Sequence, residues 1–406
     1  MSNFVLPGVA LAVVVVLFLP RVRNATLWRA TVTPLASIIG SGFLISGPLL
    51  SHVVAAWAPV AMLGILLVAF AIGAVIRFNI IHAEPLLADV GHSHAVKPLQ
   101  RLSDLALGFA YIVSVAFYVR LLASFVLRFG GHRDAVIENV LTTVVLLFIA
   151  IVGWFRGLGG LEKVEEAAVA IKLAIIAALL IGLFGFDWHW LASDQTLIDP
   201  NENLTGMERL RLLAGLLLIV QGFETSRYLG NAYDPAMRVR SMRLAQLIAG
   251  VIYLLFVITG LPLLMEFHGI ADETAIITLA GRVAEILPAL LILAAVMSQF
   301  SAAVADTVGA GGLFSELSGS RLSSRLGYIG LVAVAILLVW TGNVFDIVTL
   351  ASRVFAAYYL LQCLVAIAAT MGTDRLAGIR RRVLMALFLV MAGVLALIMV
   401  FAIPVG

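Results

Sequence analysis

Glu224 and Lys172 both stand in runs of apolar residues. An ionisable side chain there is costly, and it points to a cavity, a partner or a path for charge. Two glycine-bearing stretches could complete a site around them. In Thr33–Leu50 the triplet Gly40-Ser41-Gly42 lies mid-run, with Pro48 near the end. In Leu210–Leu229 the run is Gln221-Gly222-Phe223-Glu224-Thr225-Ser226-Arg227. A glycine inside a helix costs about 1 kcal/mol against alanine. Backbone freed by a broken helix in hydrocarbon persists only where protein or a wet cavity satisfies it. Both stretches therefore predict discontinuous membrane helices whose breaks form a site. The alternative for the first is that its small residues only let another helix approach closely.

The chemistry of such a site follows from the backbone. At the first break the N–H groups of Gly40, Ser41 and Gly42 head the next half-helix, an end that favours an anion such as a carboxylate. At the second, carbonyls ending a half-helix favour a cation, as do Gln221 and Glu224. Together the breaks would hold a zwitterion. The competing role for Glu224 is an ion pair with Arg227, three residues on.

Composition says what carries these breaks. The 406 residues are 62% hydrophobic and 12% charged, and the mean hydropathy is +1.10. Soluble domains are about half apolar and about a quarter charged, so the chain reads as an all-α polytopic membrane protein. The apolar runs predict about twelve transmembrane helices, among them Val5–Leu19, Thr31–Val53, Ala55–Ile80, Leu210–Leu229 and Val283–Leu313. The longest loop is Asp187–Arg209. Alternate loops carry seventeen and five of the 26 lysines and arginines. That asymmetry predicts that both termini are external, and the expected location is the plasma membrane. Cys363 is the single cysteine, so no intrachain disulfide can form. No hydrolase triad, phosphate loop, nucleotide-binding motif or nucleic-acid signature is visible. We expect neither an enzyme nor a cofactor. His92-Ser93-His94 reads as a solvated loop rather than a metal site.

Three motifs carry a family resemblance. Ile39-Gly40-Ser41-Gly42-Phe43 resembles the first-helix motif I-G-[SA]-G-I-F of the amino acid–polyamine–organocation (APC) superfamily. Gly222-Phe223-Glu224, then Asp234-Pro235, Arg238 and Arg240, resembles its sixth-helix G-F-E and the acidic-x-Pro-basic loop after it. Arg156-Gly157 to Glu162-Lys163-Val164, with Lys172 further on, resembles its fifth helix. The resemblance implies a five-plus-five inverted-repeat, LeuT-like fold with core helices 1 and 6 broken. An extra span and basic loop would occupy 1–29, the first repeat 30–186, an outer loop 187–206, the second repeat 207–371 and a last helix 372–406. The substrate-binding residues implied are Ile39, Gly40, Ser41, Gly42, Gln221, Gly222, Phe223 and Glu224.

The resemblance also makes Lys172 a coupling candidate, because some members place a lysine where relatives bind sodium. Snorkelling to the interface is the alternative. Ser298 and Ser301 share a face of the eighth core helix, where sodium would find its hydroxyls. Arg120, Arg227, Asp306 and Arg353 are gate or ion-pair candidates, one of the arginines being a partner open to Asp306. Metal-ion transporters of this fold carry Asp and Asn at the first break and Met at the sixth helix. Neither occurs here, which disfavours a divalent-metal substrate. The function implied is secondary active transport of amino acids or small amines by alternating access, coupled to protons or sodium. A passive ion channel, or a sensor on a transporter scaffold, are the other classes. The oligomeric state is open.

Overall fold

The structure is a computed structural model. It describes residues 5–40, 42–88, 95–131, 134–156, 162–191, 204–230, 232–265, 274–319, 321–372 and 378–404. Their regular structure is helical, without strands. The chain begins with α1 (Val5–Phe18), the single turn α2 (Pro20–Arg23), α3 (Thr26–Gly40) and α4 (Phe43–Val54). The long helices α5 (Ala58–Ala88), α6 (Val96–Phe129), α7 (Ala135–Arg156) and α8 (Glu162–Leu191) follow. Next come α9 (Gly206–Ala214), two 3-10 segments, α10 (Pro235–Met265) and α11 (Ala275–Val283). Then come α12 (Leu287–Leu317), α13 (Ser324–Thr341), α14 (Val344–Gly372) and α15 (Gly378–Phe401).

Among the described residues nine segments are long and apolar enough to cross a bilayer, with α4 through α5 counted as one. The difference from about twelve has a physical cause. α1 has only 14 residues, fewer than the roughly 20 that span hydrocarbon. The other two expected helices are cut by their breaks: α3 stops at Gly40, and α9 stops at Ala214. The architecture is thus an all-helical membrane bundle with two broken helices.

The middle of the bundle is α6. Phe117, Tyr118, Val119 and Phe125 are fully covered, and α12 and α14 lie against this helix. On the outside, α15 exposes Leu387, Leu389, Val390 and Leu397. A helix apolar on every face fits contact with lipid rather than water. Trp57 and Trp340, near helix ends, are exposed as interfacial anchors are.

Several boundaries move. α5 does not end at Ile80 but continues through Pro85 to Ala88, so Glu84 is helical. Hydropathy falls after Ile80, yet a helix can overhang the bilayer where polar side chains meet partners. α8 extends to Leu191, into the expected outer loop. α9 opens on a capping box: Thr205 Oγ accepts from Glu208 N–H, and the Glu208 carboxylate accepts from Thr205 N–H. These bonds hold the Glu208 carboxyl below its ordinary range. The expected span Val283–Leu313 begins later, as α12 from Leu287 to Leu317, because Val283 closes α11. His92-Ser93-His94 lies outside the described residues.

Candidate functional site

The first break separates α3 from α4 at Ser41 and Gly42. Ser41 itself is outside the described residues. Glycine is needed here for closeness. A Cβ on Gly40 would meet Ala302 Cβ at 3.3 Å and Ser298 Oγ at 3.4 Å, both on α12. A Cβ on Gly42 would sit 2.8 Å from the Ile219 side chain and 2.9 Å from its Cα. Ile219 belongs to the second break, so the two interruptions lie directly against each other. Ile39 is buried beside them.

The second break is longer. After α9 the chain forms a 3-10 segment over Leu217–Val220, passes Gln221 and Gly222, and resumes 3-10 geometry over Phe223–Leu229. Gly222 adopts φ 115° and ψ −14°, which L side chains rarely take. A Cβ there would fall 2.5 Å from Ser37 Oγ and 2.6 Å from the Ser37 carbonyl carbon. Gly42 and Gly222 thus each press on the other broken segment, and Gly40 presses on α12.

Freed backbone groups find partners, as a membrane interior demands. The Tyr253 hydroxyl of α10 lies 2.9 Å from Ile38 O and 2.5 Å from Ile219 O, one carbonyl from each break. Ser352 Oγ of α14 donates to Gly215 O at 2.7 Å. Thr225 Oγ1 donates to Gly222 O at 2.7 Å.

Lys172 projects from α8 to the first break. Its ammonium donates to Ala36 O and to Ser298 Oγ, each at 3.1 Å, and the residue is 3% exposed. It therefore does not snorkel. The structure brings Lys172 and Ser298 together as two of the three coupling candidates. Ser301, one turn on, is half-buried.

Glu224 is fully buried. Its Oε2 accepts from Gly222 N–H at 3.0 Å and from the Tyr359 hydroxyl at 2.9 Å. Its Oε1 has no partner among the described residues. Gln221 Nε2 donates to the Tyr118 hydroxyl at 2.5 Å, while its Oε1 is likewise unpartnered. Phe223 stacks on Tyr359 with centroids 5.5 Å apart and planes 15° off parallel. A buried acceptor without a donor is costly. Two of them at one break mark a place suited to a donor-rich cation.

The gate and ion-pair candidates separate into different places. Arg227 does not pair with Glu224. It donates to Gln362 Oε1 at 2.5 Å and lies 3.8 Å from Glu84. Arg238 grips the same Glu84 with two bonds, of 3.0 and 2.6 Å, and donates to Arg227 O at 2.7 Å. Helix geometry allowed Arg227 to reach back to Glu224, but the 3-10 winding and a carboxylate across the bundle direct it elsewhere. Asp306 pairs with no arginine among the described residues: it accepts from the Ser114 hydroxyl. Arg120 is bound to Glu138 at 2.9 Å and to the Val339 and Gly342 carbonyls closing α13. Arg353 donates to Ala402 O. Arg120 and Arg353 thus tie helix ends.

Sequence reading missed Tyr118, Tyr253, Tyr359, Glu84 and Gln362. Tyrosines in apolar runs look like core, and their hydroxyls are the one clue, since a buried hydroxyl needs a partner. Among the described residues no cluster of three metal-ligating side chains occurs.

A family profile described as an APC superfamily transporter matches residues 20–402. An uncharacterized protein of Aquifex aeolicus is 47% identical over 353 residues, covering 86% of this chain and 85% of the relative. A Na+-coupled sialic acid symporter superposes with a TM-score of 0.57 at 14% identity, over 98% of this chain and 97% of that one. A manganese transporter variant from Eremococcus coleocola gives 0.57 at 13% identity, over 92% and 87%. Identities this low speak to fold alone. With two helices broken against each other in an all-helical membrane bundle, the chain belongs to the APC superfamily of transporters and has a LeuT-like fold.

Proposed function

We propose that this transporter is secondary and active, carrying amino acids or related small amines by alternating access with a proton as the coupling ion. The observation that supports it most is Lys172, whose ammonium joins Ala36 O of the broken helix to Ser298 Oγ of α12 at 3.1 Å each. A carbonyl and a hydroxyl are oxygen ligands of the kind a small cation takes, and here a tethered cation takes them. Unlike arginine, lysine can give up its proton in a site shielded from water. Release would free α3 from α12, and reprotonation would rejoin them. Coupling arises because the same half-helix ends at the substrate-binding break.

Substrate would bridge the two breaks. Its carboxylate would lie at the start of α4, with Gly40, Ser41 and Gly42 letting it approach the N–H groups there. Its ammonium would take the unpartnered oxygens of Glu224 and Gln221, with Ile39, Gly222 and Phe223 shaping the space. Glu84, held by Arg227 and Arg238, would act as a gate at one end of the bundle.

The test is uptake by purified protein in proteoliposomes across a panel of amino acids, amines and nucleobases. A transporter gives saturable uptake and counterflow of labelled against unlabelled substrate. Linear flux without counterflow identifies a channel. Tight binding without any flux identifies a sensor on the transporter scaffold.

A further inference from the structure

Away from the breaks, α5 and α10 border an outward-facing groove of about 610 Å³. One wall is a stripe of α5: Phe70, Ala74, Phe78 and Ile81, spaced so that they share a helix face. Arg77 of α5 and Arg243 of α10 also line it, with His82 beside them. Arg77 is only 6% exposed. Its guanidinium lies 4.8 Å from the Phe70 ring centre and donates to Gln246 Oε1 at 2.5 Å and Phe70 O at 3.3 Å. Those partners are neutral. Arg243 is exposed and within electrostatic reach of Arg77. Among the described residues neither Arg77 nor Arg243 has an acidic partner within ion-pair distance. Two like charges therefore face one groove with no counter-charge paired to them among the described residues.

Depth decides what could supply it. Trp57 is 69% exposed just before α5, as an anchor at one interface is. From Trp57 to Arg77 the helix rises about 30 Å, the thickness of the hydrocarbon core. Arg77 thus sits at the opposite interface, level with headgroups, while the apolar stripe from Phe78 back to Phe70 runs into the bilayer. Arg243 joins it from the basic start of α10, near Arg238 and Arg240.

We propose that this groove binds an anionic phospholipid, with its phosphate between Arg77 and Arg243 and an acyl chain along Phe78, Ala74 and Phe70. A basic pocket between membrane helices suits such a headgroup. A free anion would satisfy the arginines but leave the apolar stripe unused. Gln246, which also donates to Ala69 O at 2.8 Å, links the lipid site to the packing of α5 on α10.

Native mass spectrometry of the purified transporter with added phosphatidylglycerol or phosphatidylcholine tests this. The wild type should retain phosphatidylglycerol preferentially. Arg243→Gln, at an exposed position, should keep its melting temperature and lower that retention about fivefold. Ala74→Trp should abolish it by filling the groove with both arginines in place. Inorganic phosphate should fail to displace the lipid. Equal retention of the two lipids, unchanged retention in either variant, or displacement by phosphate would each overturn the proposal.

Discussion

Replacing Gly222 with alanine probes how closely the two breaks approach. Gly222 holds φ 115°, and a left-handed backbone costs an L residue about 1–2 kcal/mol. The added Cβ would lie 2.5 Å from Ser37 Oγ, 2.6 Å from Ser37 C and 2.7 Å from Ile38 N. The hydroxyl can rotate away, but the backbone atoms yield only if α3 shifts as a body. Overpacking of this kind costs about 1–3 kcal/mol, for a total near 2–5 kcal/mol. The shift would also disturb the Ala36 and Ile38 carbonyls, which Lys172 and Tyr253 hold. Gly222→Ala should therefore lower the melting temperature in detergent by several degrees and abolish saturable uptake. Gly64→Ala is the control, since nothing lies within 4 Å of its Cβ, and it should melt at or slightly above the wild-type temperature. A Gly222→Ala protein that melts and transports like the wild type would show that the breaks do not touch.

Other perturbations separate ligand-binding from structural roles. Glu224→Gln should weaken amine-bearing substrates by about 2 kcal/mol, near thirtyfold in competition binding, and spare neutral analogues; equal losses would deny it an ammonium. Glu84→Gln should loosen the Arg227–Arg238 contacts and speed maleimide labelling of Cys363, the buried neighbour of Gln362. An unchanged labelling rate would mean that Glu84 does not hold that end shut. Arg120→Gln should lower thermal stability without changing substrate affinity, because Arg120 ties Glu138 to the end of α13; an affinity loss at unchanged stability would put it in the pathway instead.

The breaks were legible in the sequence because glycine is a poor helix interior residue and a buried carboxylate is rare. Gly40 and Gly42 do flank the gap between α3 and α4, whereas α9 already stops at Ala214, eight residues before Gly222. What holds the breaks together was not legible. Tyr253 reaches both from α10, and Tyr359 reaches Glu224 from α14, yet an aromatic in an apolar span reads as ordinary core. Partner choice was misread for the same reason. Arg227 is three residues from Glu224, and local spacing favours that pair. Glu84 is adjacent only after the bundle has formed. For Asp306 charge alone leaves an arginine open as a partner, whereas Ser114 faces it across the bundle.

The most direct test of the coupling claim uses Lys172→Arg in sodium-free proteoliposomes under an imposed pH gradient. Arginine keeps the charge and the donors but does not release its proton. Wild-type protein should accumulate labelled substrate above equilibrium and lose it when the gradient is collapsed. The variant should bind and exchange substrate yet accumulate none. Wild-type accumulation that requires sodium, or normal pH-driven accumulation by Lys172→Arg, would contradict proton coupling through Lys172.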